Sequence, residues 1–343
     1  MSGIISDNKG RSSGLIKAAA GGIPTVAGDK SPATAGDVWY NSSTGKLRAY
    51  ILVSGWSAGG NLGTARNNMK GGGTASAAWV ASGNNPALGT TEEYDGSSWS
   101  SGGNTGFDTH GHGAAGLVSA GIKSAGYTTG YQAGSETYNG TSWSSITNLP
   151  ANKYQAASGG TQTAYITFCG ATAPGGSSTS DSTHIWNGSS WSTGGTTNQA
   201  GHYNSGCGTT TAGLKVGGIY PTNTRVATVE EYNGTDWTTV TAYPATRYQH
   251  TVTGLQTDAM TVGGTSDASS WLATTFTYDG TNWTSGTAYP ISLAMAGGAR
   301  NSASASTSTT IFGGTDYNPS PAAVTNKTYE WSDANTNVTL TTE

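Results

Sequence analysis

Tyr138-Asn139-Gly140-Thr141-Ser142-Trp143 is one of five versions of a single phrase. The others are Tyr94-Asp95-Gly96-Ser97-Ser98-Trp99, Trp186-Asn187-Gly188-Ser189-Ser190-Trp191, Tyr232-Asn233-Gly234-Thr235-Asp236-Trp237 and Tyr278-Asp279-Gly280-Thr281-Asn282-Trp283. Their tryptophans stand 44, 48, 46 and 46 residues apart, and a period of that size marks a repeat architecture. Asn-Gly and Asp-Gly suit a type I′ turn, whose two central residues both need positive φ. Each phrase is therefore predicted to be a hairpin turn between a strand that ends in an aromatic and a strand that opens with Trp.

Roughly 20 residues before each turn lies an apolar run that closes in small residues. Examples are Ala164-Tyr165-Ile166-Thr167-Phe168-Cys169-Gly170, Leu214-Lys215-Val216-Gly217-Gly218, Met260-Thr261-Val262-Gly263-Gly264 and Ile311-Phe312-Gly313-Gly314. Further upstream come segments such as Ala245-Thr246-Arg247-Tyr248-Gln249-His250 and Ala151-Asn152-Lys153-Tyr154-Gln155-Ala156. Each repeat thus predicts four strands: a small inner strand, a Gly-Gly strand, an aromatic strand and a Trp strand. Glycine pairs permit a bulge or a close backbone approach.

The run from Ala245 to His250, followed by Val262-Gly263-Gly264, Tyr278 and Trp283, resembles a kelch repeat. That resemblance implies an all-β fold, a kelch-like β-propeller built of four-stranded blades. Six repeats are counted, with seven as the alternative blade number. The first is degenerate, with Ala77-Ala78-Trp79-Val80 in the Gly-Gly slot. The last is expected to run from Ile291 through Thr328-Tyr329-Glu330-Trp331, to turn at Ser332-Asp333-Ala334-Asn335, and to end in Val338-Thr339-Leu340.

Composition agrees with tightly packed β structure. The chain of 343 residues has 53 Gly but only 10 Pro, and only 10% of it is charged. Its 11 Trp and 17 Tyr recur in phase, unlike the aromatic-poor composition of disordered chains. A net charge of −4 without a basic stripe argues against nucleic acid as a partner. No stretch has the length and apolarity of a membrane span, so no membrane insertion is expected, and no secretory pattern opens the chain.

The first 56 residues break the period. Residues 1–36 read as an extended docking arm with apolar spots at Ile4, Ile5, Leu15 and Ile16. Residues 37–56 read as a β-hairpin, Asp37-Val38-Trp39-Tyr40-Asn41 and Lys46-Leu47-Arg48-Ala49-Tyr50 around a Ser-Thr-Gly turn. Residues 57–343 are left for the propeller. The arm and hairpin resemble those of bacteriophage tail-fibre and virion-appendage proteins. The resemblance implies a structural, non-enzymatic virion protein, assembled in the host bacterial cytoplasm. Its arm would dock onto other virion proteins, and homo-oligomers are compatible with it. The propeller would serve as an interaction or host-surface module for a glycan or protein, through loops bearing Tyr127, Tyr131, Tyr220 and Tyr317.

Kelch-like copper radical oxidases need a Cys–Tyr crosslink, a second Tyr and two His. Here His110, His112, His184, His202 and His250 are available, and several fall at equivalent repeat phases. Sialidases need an arginine trio, but Arg66 and Arg247 hold the kelch arginine position, with Lys153 as a substitute, which implies a structural role. Glu92-Glu93 and Glu230-Glu231 read as solvated strand ends. Cys169 and Cys207 read as buried thiols rather than a disulfide. No catalytic residue, metal or cofactor is expected. A glycan-active enzyme or a bacterial kelch-type adaptor stand as alternatives.

Overall fold

Trp99, Trp143, Trp191, Trp237 and Trp283 each open the outer strand of a four-stranded antiparallel sheet. A computed structural model describes residues 23–84, 88–173, 176, 178–267, 270–300, 308–318 and 320–340. Among them the chain is all β, without an α-helix. In the second sheet the order from inside outward is Gly113–Leu117, Ala120–Tyr127, Tyr131–Tyr138 and Trp143–Ile146. The same order recurs from Lys70–Thr74, Ala157–Thr161, Ser205–Thr209 and Thr251–Leu255 outward. The four strands predicted for each repeat are therefore present in these five, in the predicted order.

The phrase pairs as expected but turns differently. Tyr138 lies opposite Trp143, and Tyr94, Trp186, Tyr232 and Tyr278 likewise face Trp99, Trp191, Trp237 and Trp283. Only the glycine is left-handed, with φ between 90° and 96° in all five. The Asn or Asp before it is not. Its side chain instead caps the turn: Asn139 Oδ1 accepts from the amides of Thr141 at 2.9 Å and Ser142 at 2.8 Å. The connection is thus a four-residue loop held by an Asx side chain, not the type I′ turn of the sequence prediction.

The last repeat is also corrected. Thr328–Leu340 is one uninterrupted strand, so Ser332-Asp333-Ala334-Asn335 makes no turn. That segment has no glycine to supply the left-handed residue on which the other five turns depend. The outer position is taken by residues 56–58, the end of the strand Lys46–Ala58. Gly59 N donates to Thr328 O at 3.0 Å, and Leu62 N to Asn326 O at 2.8 Å. The sixth sheet therefore reads Gly297–Ala299, Ser308–Phe312, residues 328–331, residues 56–58.

The sheets bury their faces against one another. Trp79 and Ala81 pack on Ala114, with Trp143 against them. Ala115 and Ile122 pack on Tyr165 and Trp186, and Ile166 and Phe168 on Tyr232 and Trp237. Leu214 and Val216 meet Val252 and Tyr278, Met260 and Val262 meet Ile311 and Trp331, and Val80 and Tyr94 meet Ala299 and Phe312. The inner strands are close enough to demand small residues: a Cβ on Gly72 would stand 2.4 Å from Gly116 O. The strand Gly297–Ala299 lies beside both Thr251–Leu255 and Lys70–Thr74. This is a propeller-like arrangement of small antiparallel sheets.

The described residues fall into two compact units, one within 56–331 and the other within 1–55 and 332–343. In the second of these, Val38–Asn41 pairs antiparallel with the start of Lys46–Ala58, and Thr25–Val26 joins it in parallel. Trp39 is fully buried, its indole donating to Gly28 O at 3.3 Å. Arg48 reaches Asp29 at 3.0 Å and Thr339 Oγ1 at 2.7 Å. Ile4, Ile5, Leu15 and Ile16 lie outside the described residues.

Candidate functional site

At the end of its second strand each repeat passes through two consecutive left-handed residues: Ser82-Gly83, Cys169-Gly170, Gly217-Gly218, Gly263-Gly264 and Gly313-Gly314 just after the strand, and Ala125-Gly126 within the last residues of Ala120–Tyr127. The second amide of each pair then reaches a carbonyl in the next repeat: that of Thr109, Lys153, Gly201, Arg247, Leu293 and Arg66 in turn, at 2.6 to 3.3 Å. Past this point the chain makes short hairpins. Ala171–Ala173 pairs with Ser178–Thr179, Ile219–Tyr220 with Thr224–Arg225, and Thr315–Asp316 with Ala323–Val324. Bridges tie this region to the residues just before the inner strands: His110 to Tyr127, Tyr154 to Ala171, His202 to Ile219 and Tyr248 to Thr265. The second-strand loops and the segments that enter the inner strands thus share one edge of the sheets.

Aromatic side chains gather there. Tyr131 stacks on Tyr154, with ring centres 5.4 Å apart at 26°. Tyr127 lies 5.6 Å from Tyr131 and 5.7 Å from Tyr154, and His110 stands edge-on to Tyr154 at 5.6 Å. Trp271 and Tyr317 lie nearly parallel, with centres 3.7 Å apart at 8°. Tyr203 meets Tyr248 at 6.0 Å, and the Arg225 guanidinium covers Tyr248 at 5.4 Å. Burial raises the phenols of Tyr131, Tyr154 and Tyr317 above their ordinary value, with Tyr203 adding to each shift. All three stay protonated donors near neutral pH. Burial lowers His110 and His202, favouring their neutral form. The result is a largely uncharged surface of ring faces with hydroxyl donors, the chemistry that holds the C–H face of a sugar or a planar apolar group.

Of the loop tyrosines singled out in the sequence, Tyr127, Tyr131 and Tyr317 stand in this aromatic group. Tyr220 does not: its ring lies 5.5 Å from the buried Lys215 ammonium, and among the described residues no ring contact joins it to the others. Tyr154, Tyr203, Tyr248 and Trp271 join the group without having stood out in the sequence. The first three lie in the segments read as strand scaffolding. The signal for Tyr154 and Tyr248 was Tyr or His at matching phases, with His110 and His202 equivalent to them; Tyr203 stands one residue later, at the phase of Gln155 and Gln249. Pro319, next to the Tyr317 loop, lies outside the described residues.

The other candidates resolve into structure. Arg66 is fully buried and donates to Ser82 O, Thr90 O and Glu92. Arg247 donates to Gly263 O at 3.3 Å and Lys153 to Ser182 O at 2.7 Å. Glu92 and Glu230 are not solvated strand ends, which corrects the sequence prediction. Both are buried in ion pairs, Glu92 with Arg66 and Glu230 with Lys215, and the equivalent Glu136 pairs with Lys123 at 3.4 Å. A buried carboxylate must be paired: Lys123 and Lys215, inside the second strands, are the partners of Glu136 and Glu230, and Arg66 is that of Glu92. Glu93 and Glu231 accept from the phenols of Tyr138 at 2.5 Å and Tyr278 at 2.9 Å. Cys169 and Cys207 are free, buried thiols. His112 and His250 are buried, and His184 falls to about 4 through burial and the charge of Lys153. Among the described residues no group of three His, Cys, Asp or Glu is placed to hold a metal ion.

In comparisons with known proteins, no family model and no curated protein matches the chain.

Proposed function

We propose that this chain is a structural protein of a bacteriophage particle, docked by its N-terminal segment. In this reading its six sheets close into a kelch-like β-propeller, and the aromatic edge binds a host-surface glycan. Closure is supported by three cycles of contacts, two of hydrogen bonds and one of packing. One is the backbone set from Gly83 to Thr109 through Gly314 to Arg66. The second runs through the indoles. Trp99, Trp143, Trp191, Trp237 and Trp283 donate to Thr328, Thr91, Thr147, Thr183 and Thr241, and Trp56 donates to Thr275. The third is the series of six interfacial cores.

The observation that carries the binding role is the pair of stacks, Tyr131 on Tyr154 and Trp271 on Tyr317, with Tyr131 held at a strand end and Tyr154 and Trp271 pinned by backbone bridges. Rigid aromatic surfaces lose little conformational entropy on binding, and binding residues concentrate on loops held by a firm scaffold. The virion assignment is supported by the arm and the Asp37–Tyr50 hairpin. Mass spectrometry of purified particles tests it: the polypeptide is expected in virions, and its confinement to the lysate overturns the assignment. Binding of the full chain to host surface polysaccharide, compared with Tyr131→Ala and Trp271→Ala, tests the aromatic edge.

A further inference from the structure

Two cavities share one cation. The larger, about 370 Å³, is walled by the inner strands of all six sheets. The smaller, about 30 Å³, is lined by Gln155, Tyr203, Asn204, Gln249 and His250 among others. Lys70 lines both. Neither lining includes an Asp or Glu. Arg300, in the larger cavity, is held by Asp258 at 2.6 Å. The Lys70 ammonium has no hydrogen bond or ion pair among the described residues.

The small cavity carries further unpaired groups. Gln155 Nε2 and Oε1, Asn204 Oδ1, Gln249 Oε1 and both ring nitrogens of His250 are buried without a partner. Protein interiors leave few polar groups in that condition, so such a concentration in one place marks an occupant. A cavity needs about 10–15 Å³ to take one water, and this one has room for a compact ion or a pair of waters. Charge decides between them. Lys70 is half-buried, so its ammonium keeps only part of its hydration, and no carboxylate faces it; partial desolvation still weighs against the charged form, and an anion beside it offsets that cost.

We propose that the small cavity beside Lys70 binds a monoanion of halide size, with chloride as its simplest occupant. The Lys70 ammonium, the Gln155 amide and one His250 N–H are the donors. The oxygens of Asn204 and Gln249 accept from the ammonium or from an accompanying water. His250 stays neutral, because burial first and then the charges of Arg247 and Lys70 push it well below its usual range. Burial alone brings Lys70 to about 8, so at neutral pH it is still mostly charged.

Bromide serves as the probe. Crystals of the full chain grown in sodium bromide are expected to show anomalous density in contact with Lys70 Nζ. Water there, with no bromide, overturns the proposal. In thermal melts at matched ionic strength, the wild-type midpoint is expected several degrees higher in sodium chloride than in sodium gluconate, whose anion is too large for the cavity. Lys70→Met should abolish that difference, and a variant that keeps the full chloride shift also overturns the proposal. Where Lys70→Met fails to fold, the bromide measurement on the unaltered chain decides.

Discussion

The Tyr94 phenol donates to the Glu330 carboxylate across 2.5 Å, although 236 positions separate the two residues. The same bond joins Tyr138 to Glu93 and Tyr278 to Glu231, in each case from one repeat to the one before it. The first repeat thus treats the last as its predecessor. Burial and the Glu330 partner push the Tyr94 phenol up to about 12.

Tyr94→Phe leaves a partly buried carboxylate without its donor and is expected to cost about 1.5–3 kcal/mol, the range for bonds to charged groups. Tyr278→Phe should cost a similar amount at an ordinary seam. Urea denaturation of both variants makes the comparison. A much smaller loss for Tyr94→Phe would mean that the first and last sheets do not form a seam like the others.

Trp143 and Trp237 each place an indole in a neighbouring repeat, donating to Thr91 and Thr183. Truncation of either to Ala should destabilise by roughly 3–5 kcal/mol. Trp56 lies outside the five phrases but packs edge-on against Trp331 at 5.3 Å and Tyr289 at 4.8 Å. Trp56→Ala is expected to cost a comparable amount. Chemical denaturation followed by far-ultraviolet dichroism checks all three.

Stability should rise between pH 8 and about 10. Burial holds both Lys123 and Lys153 at about 8, Lys123 despite its nearby carboxylate. In the unfolded chain a lysine titrates near 10.4. Between those values the unfolded state binds more protons than the folded one, so the free energy of unfolding increases with pH. Above about 10 the sign reverses, because Tyr94, Tyr138 and Tyr165 keep their protons to about 12 in the fold and lose them earlier outside it. Denaturation midpoints across this range are the measurement, and Lys153→Met should flatten the rise.

Tyr131→Ala and Trp271→Ala should each weaken glycan binding at least tenfold, about 1.4 kcal/mol. Both rings are only partly buried, so the melting temperature should move little by comparison. Titration calorimetry with the host polysaccharide, alongside melting curves, separates the two effects. Equal affinity in both variants would remove the aromatic edge from consideration.

The repeat, the strand order within a sheet and the seam tryptophans were legible because their signals are local. A left-handed glycine, a pair of facing aromatics and an apolar run each lie within a few residues. The outer strand of the sixth sheet was not legible, since residues 56–58 find their partner at 328–331 and carry no phrase of their own. Glu92 and Glu230 were misjudged for a related reason: a Glu-Glu pair looks solvated until Arg66 and Lys215 are placed beside it. Tyr127, Tyr131 and Tyr317 stood out as loop tyrosines. Tyr154 and Tyr203 were hidden in a segment whose repeat phase marked them as framework.

The provenance of that outermost strand has a consequence for biosynthesis. Residues 56–58 leave the ribosome early and must wait for residues 328–331. At about 5–20 residues per second that delay is on the order of tens of seconds. Throughout it the nascent chain carries an unzipped margin, with the Trp56 indole and the face of the first sheet that Ala299 and Phe312 later cover open to other chains. Transplants of residues 56–331 into another chain should therefore begin upstream of Trp56, because one that starts after it would carry the gap permanently.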